Sequence, residues 1–364
     1  MRTTVIGGGN IGTVLAALLS ERGEEVRLLS SRPTEVSEEP VLTDEEGTIL
    51  HRGHRVKSYD DPEAACAGAD LVFSTVPAFR NEKLLEGIRG ILDPETVFCF
   101  VPGSGGGELV FREELERGVY LCGMERVPTI ARSEVYGTRA RIGTIREKLF
   151  VAAADPLRTM RCCDRIEEAL GILTLPLPNY LNLTLTPSNP ILHTSRLFCI
   201  FREYKEGMVY PSLPLFYEDW DLESARTLLR MDEELQNVVK SLPELSLGGV
   251  VSLKRHYESR NETELQAKLS QIRSFRGIQT PALQKEGGFV PDFSSRYFAS
   301  DFPYGLKVLL ETAALTGTDC PVMKQVYEWY KGAASPEKEF SFAEYGIRDR
   351  NDLVRFYGNN TVIH

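Results

Sequence analysis

The sequence predicts an α/β domain followed by an all-helical C-terminal domain, and three observations carry that reading. Short apolar runs alternate with helical patterns through the first half. A stretch holding four prolines, "LPLPNYLNLTLTPSNP", interrupts the chain at residues 175–190, and beyond it the apolar period is helical. The length, 364 residues, is large for one core and suits two. We place the boundary near residue 185, which gives domains 1–185 and 186–364.

The first elements are a strand, a glycine turn, a helix and a second strand. Thr3 to Ile6 is short and rich in β-branched residues. Ile11, Val14, Leu15, Leu18 and Leu19 recur at helical spacing, Gly23 closes that helix, and Val26 to Leu29 forms the next strand. Between strand and helix, Gly7, Gly9 and Gly12 give G-x-G-x-x-G. Glycines are common in turns, and an empty structural turn is the bland alternative. Set inside a βαβ unit of this length, the pattern indicates a Rossmann-type dinucleotide-binding domain. Gly7 permits the tight turn, Gly9 lets backbone approach a pyrophosphate, and Gly12 lets helix pack on strand. Asn10 and Ile11 open the helix, whose free N–H groups and positive dipole end face the phosphates.

The end of the second strand bears on the cofactor. An NAD site usually has an acidic residue there to bond the ribose hydroxyls. This chain has Ser30, Ser31 and Arg32, while Glu24 and Glu25 stand at the other end of the strand. Two hydroxyls and a guanidinium suit a 2′-phosphate, so NADP (NADPH) is expected ahead of NAD. A solvated arginine is the alternative.

"GADLVFSTVPAFR" continues the sheet, with Asp70 before the strand Leu71–Val76 and Pro77 ending it at the cofactor edge. Val76 and Pro77 therefore join the candidate cofactor contacts. "ETVFCFVPGSGGGEL" is a buried strand running into a glycine loop, where Gly103 and Ser104 line either a ligand or an ordinary βα turn. Open α/β sheets bind ligands outside the carboxyl ends of such strands. Short apolar runs between 119 and 153 are expected to extend the sheet. Thr129 and Arg132, in "ERVPTIAR", follow one of them and are candidate substrate contacts.

Composition narrows the function. The net charge is -10 with no long basic run, which argues against nucleic acid and anionic membrane surfaces as partners. The apolar start, "MRTTVIGGGN", is too short for a secretory signal, and no window approaches the ~20 apolar residues of a membrane helix. The seven cysteines lack metal-ligand spacing, so no metal is expected and a reduced, cytoplasmic protein is.

The second half reads as helices. "ILHTSRLFCIFREYK" and "DLESARTLLRMDEELQNVVKSL" are amphipathic, the latter with Asp221 as its cap. "DFPYGLKVLLETAALTG" starts with a capping aspartate, Asp301, and ends in Gly317. "TDCPVMKQVYEWYKGA" follows with its own cap and Pro321 in the first turn. Within this half, His193 lies about one turn into a helix opened by Asn189 and Pro190. Most such histidines only pack. An imidazole with pKa near ~6.5 can also give and take a proton. His51, His54, His256 and His364 offer less.

Three pieces together resemble the opine dehydrogenase (octopine/nopaline dehydrogenase) family: "GGGNIG", "NPILHTSR" and "SSRYFASDFPYGL". The glycine piece is shared with many dehydrogenases; the other two are more specific. The resemblance covers most of the chain and implies a helical domain of the 6-phosphogluconate dehydrogenase C-terminal type. It implies reductive condensation of an amino acid with a 2-oxo acid at the expense of NAD(P)H. It further implies that His193 is the acid/base, that Asp301 pairs with it, and that Arg296 holds a substrate carboxylate. The loop "PGSGGG", with Ser104, departs from the family's glutamine-containing loop. Two alternatives stand beside this reading: a reductase giving a 2-hydroxy acid, and a non-catalytic NADP-binding regulatory protein. The partners expected are small molecules, with a homodimer as the default assembly.

Overall fold

The computed structural model describes residues 1–358, in two compact units, Met1–Leu183 and Thr184–Gly358. His364 lies outside the described residues.

The first unit opens with β1 (Arg2–Ile6), α1 (Asn10–Glu21) and β2 (Glu25–Leu29), followed by β3 (Val41–Thr43), β4 (Ile49–Arg52) and β5 (Lys57–Tyr59). Next come α2 (Pro62–Cys66), β6 (Leu71–Ser74), α3 (Asn81–Ile88), β7 (Val97–Phe100), α4 (Gly107–Val110) and α5 (Arg112–Glu116). The unit continues through β8 (Tyr120–Met124), β9 (Ala131–Val135), β10 (Arg139–Ile142), β11 (Lys148–Ala153), α6 (Thr159–Leu170) and β12 (Leu173–Pro176). Eight strands form one sheet in the order β12-β11-β8-β7-β6-β1-β2-β5, parallel throughout except where β11 meets β8. The central strands β6 (LVFS) and β7 (VFCF) are buried at every residue, as strands covered on both faces must be.

The runs between 119 and 153 divide between two sheets. β8 and β11 extend the large sheet, but β9 and β10 join β3 and β4 in a separate four-stranded sheet. The residues explain the split. β9 (ARSEV) and β10 (RARI) mix charged and apolar positions and bury only part of their surface, whereas β8 is buried at all five positions. Strands of mixed exposure pair where one face meets solvent. α1 packs on β1 and β2 and also meets β3, β4, β9 and β10, so nine of its residues are buried.

The second unit follows α7 (Leu181–Thr184), which spans the boundary, and begins with α8 (Ser188–Phe201) and the long α9 (Leu222–Lys240). It continues with α10 (Leu253–His256), α11 (Glu262–Gln271), the hairpin β13 (Ala282–Lys285) and β14 (Gly288–Pro291), and α12 (Arg296–Ala299). After a π-helical turn at Phe302–Leu306 come α13 (Lys307–Thr316), α14 (Pro321–Ala334) and α15 (Arg350–Gly358). The hairpin is an addition to the all-helical expectation; its strands are four residues each and carry too few positions for a period to register.

Two capping expectations are corrected. Asp221 does cap α9, accepting from Ser224 N at 2.7 Å. Asp301 makes no cap: its backbone is already helical and its carboxylate points elsewhere. α14 has no side-chain cap of its own either. The carboxylate of Glu234, on α9, accepts from Val322 N at 2.8 Å and Met323 N at 2.9 Å. That tertiary cap satisfies the same orphan N–H groups a local Ser or Asp would.

Candidate functional site

In the first unit the glycine turn has the shape its residues imply. Gly7 has φ of +101°, a region that favours glycine. A Cβ on Gly12 would sit 1.6 Å from the Gly7 carbonyl oxygen, so only glycine lets α1 come this close to the turn. A Cβ on Gly9 would meet nothing within 4 Å, leaving its backbone open to an approaching group. The Thr13 hydroxyl is directed at the carbonyls of Gly8 and Gly9, and Thr75 Oγ1 donates to Ile6 O at 2.9 Å. Asn10 Oδ1 accepts from Ser133 N of β9 at 3.0 Å, while Ile11 packs against the core. An open turn at a helix N-terminus, closed behind by Gly12, fits a pyrophosphate.

The strand end beside it holds the other candidates. Ser30 is buried, and its Oγ accepts from Arg32 N at 3.0 Å. Ser31 and Arg32 are exposed, and Arg32 pairs with Glu35 at 3.3 Å. Val76 and Pro77 follow β6 half-buried, beside the glycine turn. In the loop after β7, Gly103 N donates to Met124 O at 2.7 Å, and a Cβ there would meet Gly123 Cα at 2.9 Å. Close backbone packing explains that glycine; Ser104 is half-buried next to it. Thr129 is corrected from the substrate candidates. It is buried, and its hydroxyl is directed at the carbonyls of Gly143 and Thr144, at 3.0 and 3.1 Å, so it holds its own loop together. Arg132 is a half-buried residue of β9 paired in register with Arg141.

In the second unit α8 carries His193 on its buried face. His193 is 4% exposed and Asp301 7%, and His193 Nδ1 lies 2.7 Å from Asp301 Oδ2. On the opposite ring nitrogen, Nε2 lies 2.9 Å from the Tyr217 hydroxyl. An ionised carboxylate only accepts, so Nδ1 carries the proton toward Asp301. Neutral Nε2 is then the acceptor for the Tyr217 O–H, and after protonation it donates to that same oxygen. The ring is walled by Tyr297 at 4.4 Å and Phe216 at 5.7 Å between centroids. The π-helical turn that presents Asp301 approaches α8 closely: a Cβ on Gly305 would meet Pro190 at 3.1 Å.

Sequence reasoning named His193 and Asp301, which the structure brings together. Arg296, named with them, is exposed; its Cζ lies 5.6 Å from the ring centroid of Tyr297, the residue that walls His193. Tyr217 and Tyr297 went unnamed. Tyr297 stands next to Arg296 inside the quoted "SSRYFASDFPYGL", so a signal existed. Tyr217, in "PLFYEDWD", has none; only folding places it at His193.

The residues match known proteins along most of the chain. The family description "NAD/NADP octopine/nopaline dehydrogenase, alpha-helical domain" matches residues 176–334, and "NAD-dependent glycerol-3-phosphate dehydrogenase N-terminus" matches residues 2–102. An opine dehydrogenase of Haliotis discus hannai is 29% identical over 362 residues, covering 89% of this chain and 88% of the relative. An octopine dehydrogenase of Pecten maximus is 25% identical, covering 90% and 89%.

The chain resembles the opine dehydrogenases over most of its length. It is an NAD(P)-dependent dehydrogenase of the class acting on CH–NH donors. A solved octopine dehydrogenase in complex with NADH and agmatine superposes with a TM-score of 0.80 at 21% identity, covering 100% of both chains. At that identity it speaks for the fold: a Rossmann-type domain with a large parallel sheet and a helical second domain. Among the described residues no cluster suited to a metal ion occurs, and no helix is long and apolar enough to cross a membrane.

Proposed function

We propose that the protein is an NADP-dependent opine dehydrogenase that condenses the amine of an amino acid with a 2-oxo acid and reduces the resulting imine. The observation that carries the reading is the buried line Asp301–His193–Tyr217, with contacts of 2.7 and 2.9 Å, set in the helical unit of this family. The bound dinucleotide supplies the hydride. Everything else falls to the chain. His193 Nε2 gives a proton to the carbonyl oxygen that leaves as water, and accepts one when the reaction runs backward. Asp301 fixes the imidazole's orientation and balances its charge in the protonated state. Arg296 offers a planar fork to a substrate carboxylate. Within the first unit, Arg132 and Ser104 are half-buried polar candidates for substrate contact.

Selection of NADP rests on the strand end. No acidic side chain occupies positions 30–32, and the ion-pair partner of Arg32, Glu35, is exposed. Such an exposed pair contributes at most ~1 kcal/mol and gives way to a doubly charged phosphate. A soluble metabolite reaction of this kind fits the cytoplasm.

The test is NADPH oxidation by the purified protein with pyruvate, glyoxylate or 2-oxoglutarate, each with and without a panel of amino acids. Oxidation that requires the amine supports the proposal. Oxidation with the oxo acid alone makes the enzyme a 2-hydroxy acid-forming reductase. NADPH binding without turnover under any pair makes it a regulatory binder. Arg32→Ala should weaken NADPH by ~1–3 kcal/mol and leave NADH nearly unchanged.

A further inference from the structure

Tyr136 lies in the turn between β9 and β10, outside every motif of the sequence. Its hydroxyl is 2.8 Å from the Ser30 hydroxyl. Arg32 Cζ lies 3.7 Å from the centroid of its ring. A Cβ on Gly8 would meet its hydroxyl at 2.8 Å, so the edge of the ring rests on the glycine turn itself. Two backbone links hold the β9–β10 hairpin there: Gly137 N donates to Gly8 O at 3.2 Å, and Ser133 N donates to Asn10 Oδ1 at 3.0 Å. One side chain thus touches the glycine turn, the end of β2 and the arginine after it.

We propose that Tyr136 sets the preference for a 2′-phosphorylated dinucleotide by holding Arg32 and Ser30 ready for that phosphate. The inference rests on the NADP reading given above. An exposed arginine is rotamer-rich, and ordering it on binding costs affinity. The ring face of Tyr136 holds the guanidinium by cation–π attraction and takes none of its in-plane N–H groups, one of which meets the exposed Glu35 and can exchange it for a phosphate. The hydroxyls follow a simple count. Ser30 Oγ already accepts from Arg32 N, and the Ser30–Tyr136 contact uses one of the two hydroxyl protons. Whichever oxygen donates in that contact, the other keeps a proton to offer an anion. A ribose hydroxyl carries no charge to exploit either the guanidinium or that proton fully, so the device favours the phosphate form. The second sheet thereby gains a role: its hairpin carries the residue that arms the cofactor pocket.

The experiment is fluorescence titration of the full-length protein with NADPH and NADH, and calorimetry with adenosine 2′,5′-bisphosphate and 5′-AMP. The variants are Tyr136→Leu, Tyr136→Phe and Arg32→Ala. Tyr136→Leu should weaken NADPH and the bisphosphate roughly threefold to tenfold, and NADH and 5′-AMP less than about twofold. Tyr136→Phe keeps the ring and should fall between wild type and Tyr136→Leu. Equal weakening of both dinucleotides by Tyr136→Leu overturns the inference, because it shows general damage to the turn. Unchanged NADPH affinity in Tyr136→Leu, with Arg32→Ala impaired, also overturns it and leaves the NADP reading standing. Tighter binding of NADH than NADPH by the wild type defeats the NADP reading itself, before any variant is made.

Discussion

Asp301→Asn removes one charge from a buried pair and little else. The contact is 2.7 Å, and both side chains are nearly inaccessible. The carboxylate's contribution grows when His193 becomes imidazolium, which is the state that donates the proton. A charge-assisted hydrogen bond of this kind contributes ~1.5–3 kcal/mol, or about tenfold to a hundredfold in rate when made chiefly in the transition state. The amide adds a second penalty. If it presents its NH2 to Nδ1, the imidazole proton moves to Nε2, and that nitrogen no longer accepts. A buried Asp→Asn behind a catalytic histidine costs about 10⁴-fold where the tautomer is lost, so the expected fall in kcat is ~10²–10⁴. The assay is kcat at saturating amino acid, oxo acid and NADPH, with NADPH affinity and thermal unfolding measured beside it. NADPH affinity should hold, since the glycine turn belongs to the other unit. His193→Asn should cost a similar factor, and the double variant less than the product, because the two residues act as one. A folded Asp301→Asn protein that keeps kcat within about threefold would refute the pairing as part of catalysis.

Gly12→Ala should lower stability by ~1–3 kcal/mol and abolish tight NADPH binding, because the new methyl would stand 1.6 Å from Gly7 O; an unchanged melting temperature and NADPH affinity would contradict the geometry. Asp232 is buried, and burial pushes its carboxyl up from 3.8 to about 6. The folded state therefore keeps a proton that the unfolded chain releases, so stability present below pH ~4 is lost as pH rises to about 6, on the order of 2–3 kcal/mol in all. Asp232→Asn keeps an acceptor for Leu253 N and should stabilise the protein at pH 7.5 but not at pH 4, read from urea unfolding at both; a gain at pH 4 alone would reverse the sign and defeat the argument. Arg196→Met should cost ~3–5 kcal/mol in urea unfolding, since the fully buried guanidinium binds Asp221, Ser224 and the carbonyls of Phe216 and Asp219; a near-neutral result would show that these partners find water instead.

Much of this was readable in the chain because it depends on local rules. The glycine turn, the central strands and the Asp221 cap are each set by residues close together in sequence. What escaped depends on distant partners. Nothing near Pro321 tells that Glu234, on another helix, will cap α14. Nothing near Val135 tells that the β9–β10 hairpin will leave the large sheet and bring Tyr136 to Ser30. Asp301 shows the same limit from the other side. Local preference makes an aspartate before a helix a cap, but the π-helical turn and the buried imidazole take its carboxylate instead. A side chain has one carboxylate to place, and the tertiary partner won it.

The stretch "NPILHTSR" shows how one helix supplies both frame and chemistry. Four consecutive polar residues, His193 to Arg196, are all buried. Three are absorbed by the fold. Thr194 donates to the Pro190 carbonyl and Ser195 to that of Leu192 at 3.1 Å, both within α8. Arg196 ties α8 to the start of α9 through Asp221 and Ser224, at 2.5 and 3.1 Å. Burial of a guanidinium lowers its pKa, and the Asp221 carboxylate opposes that, so the arginine is held charged as a fixed anchor. His193 differs in kind. Its two ring nitrogens meet a carboxylate and a phenol, groups that can follow a change of protonation, while its neighbours meet backbone carbonyls or a fixed ion pair. Spending three buried polar residues on rigidity is what keeps the fourth oriented, and orientation within a few tenths of an ångström is what a proton-transferring histidine requires.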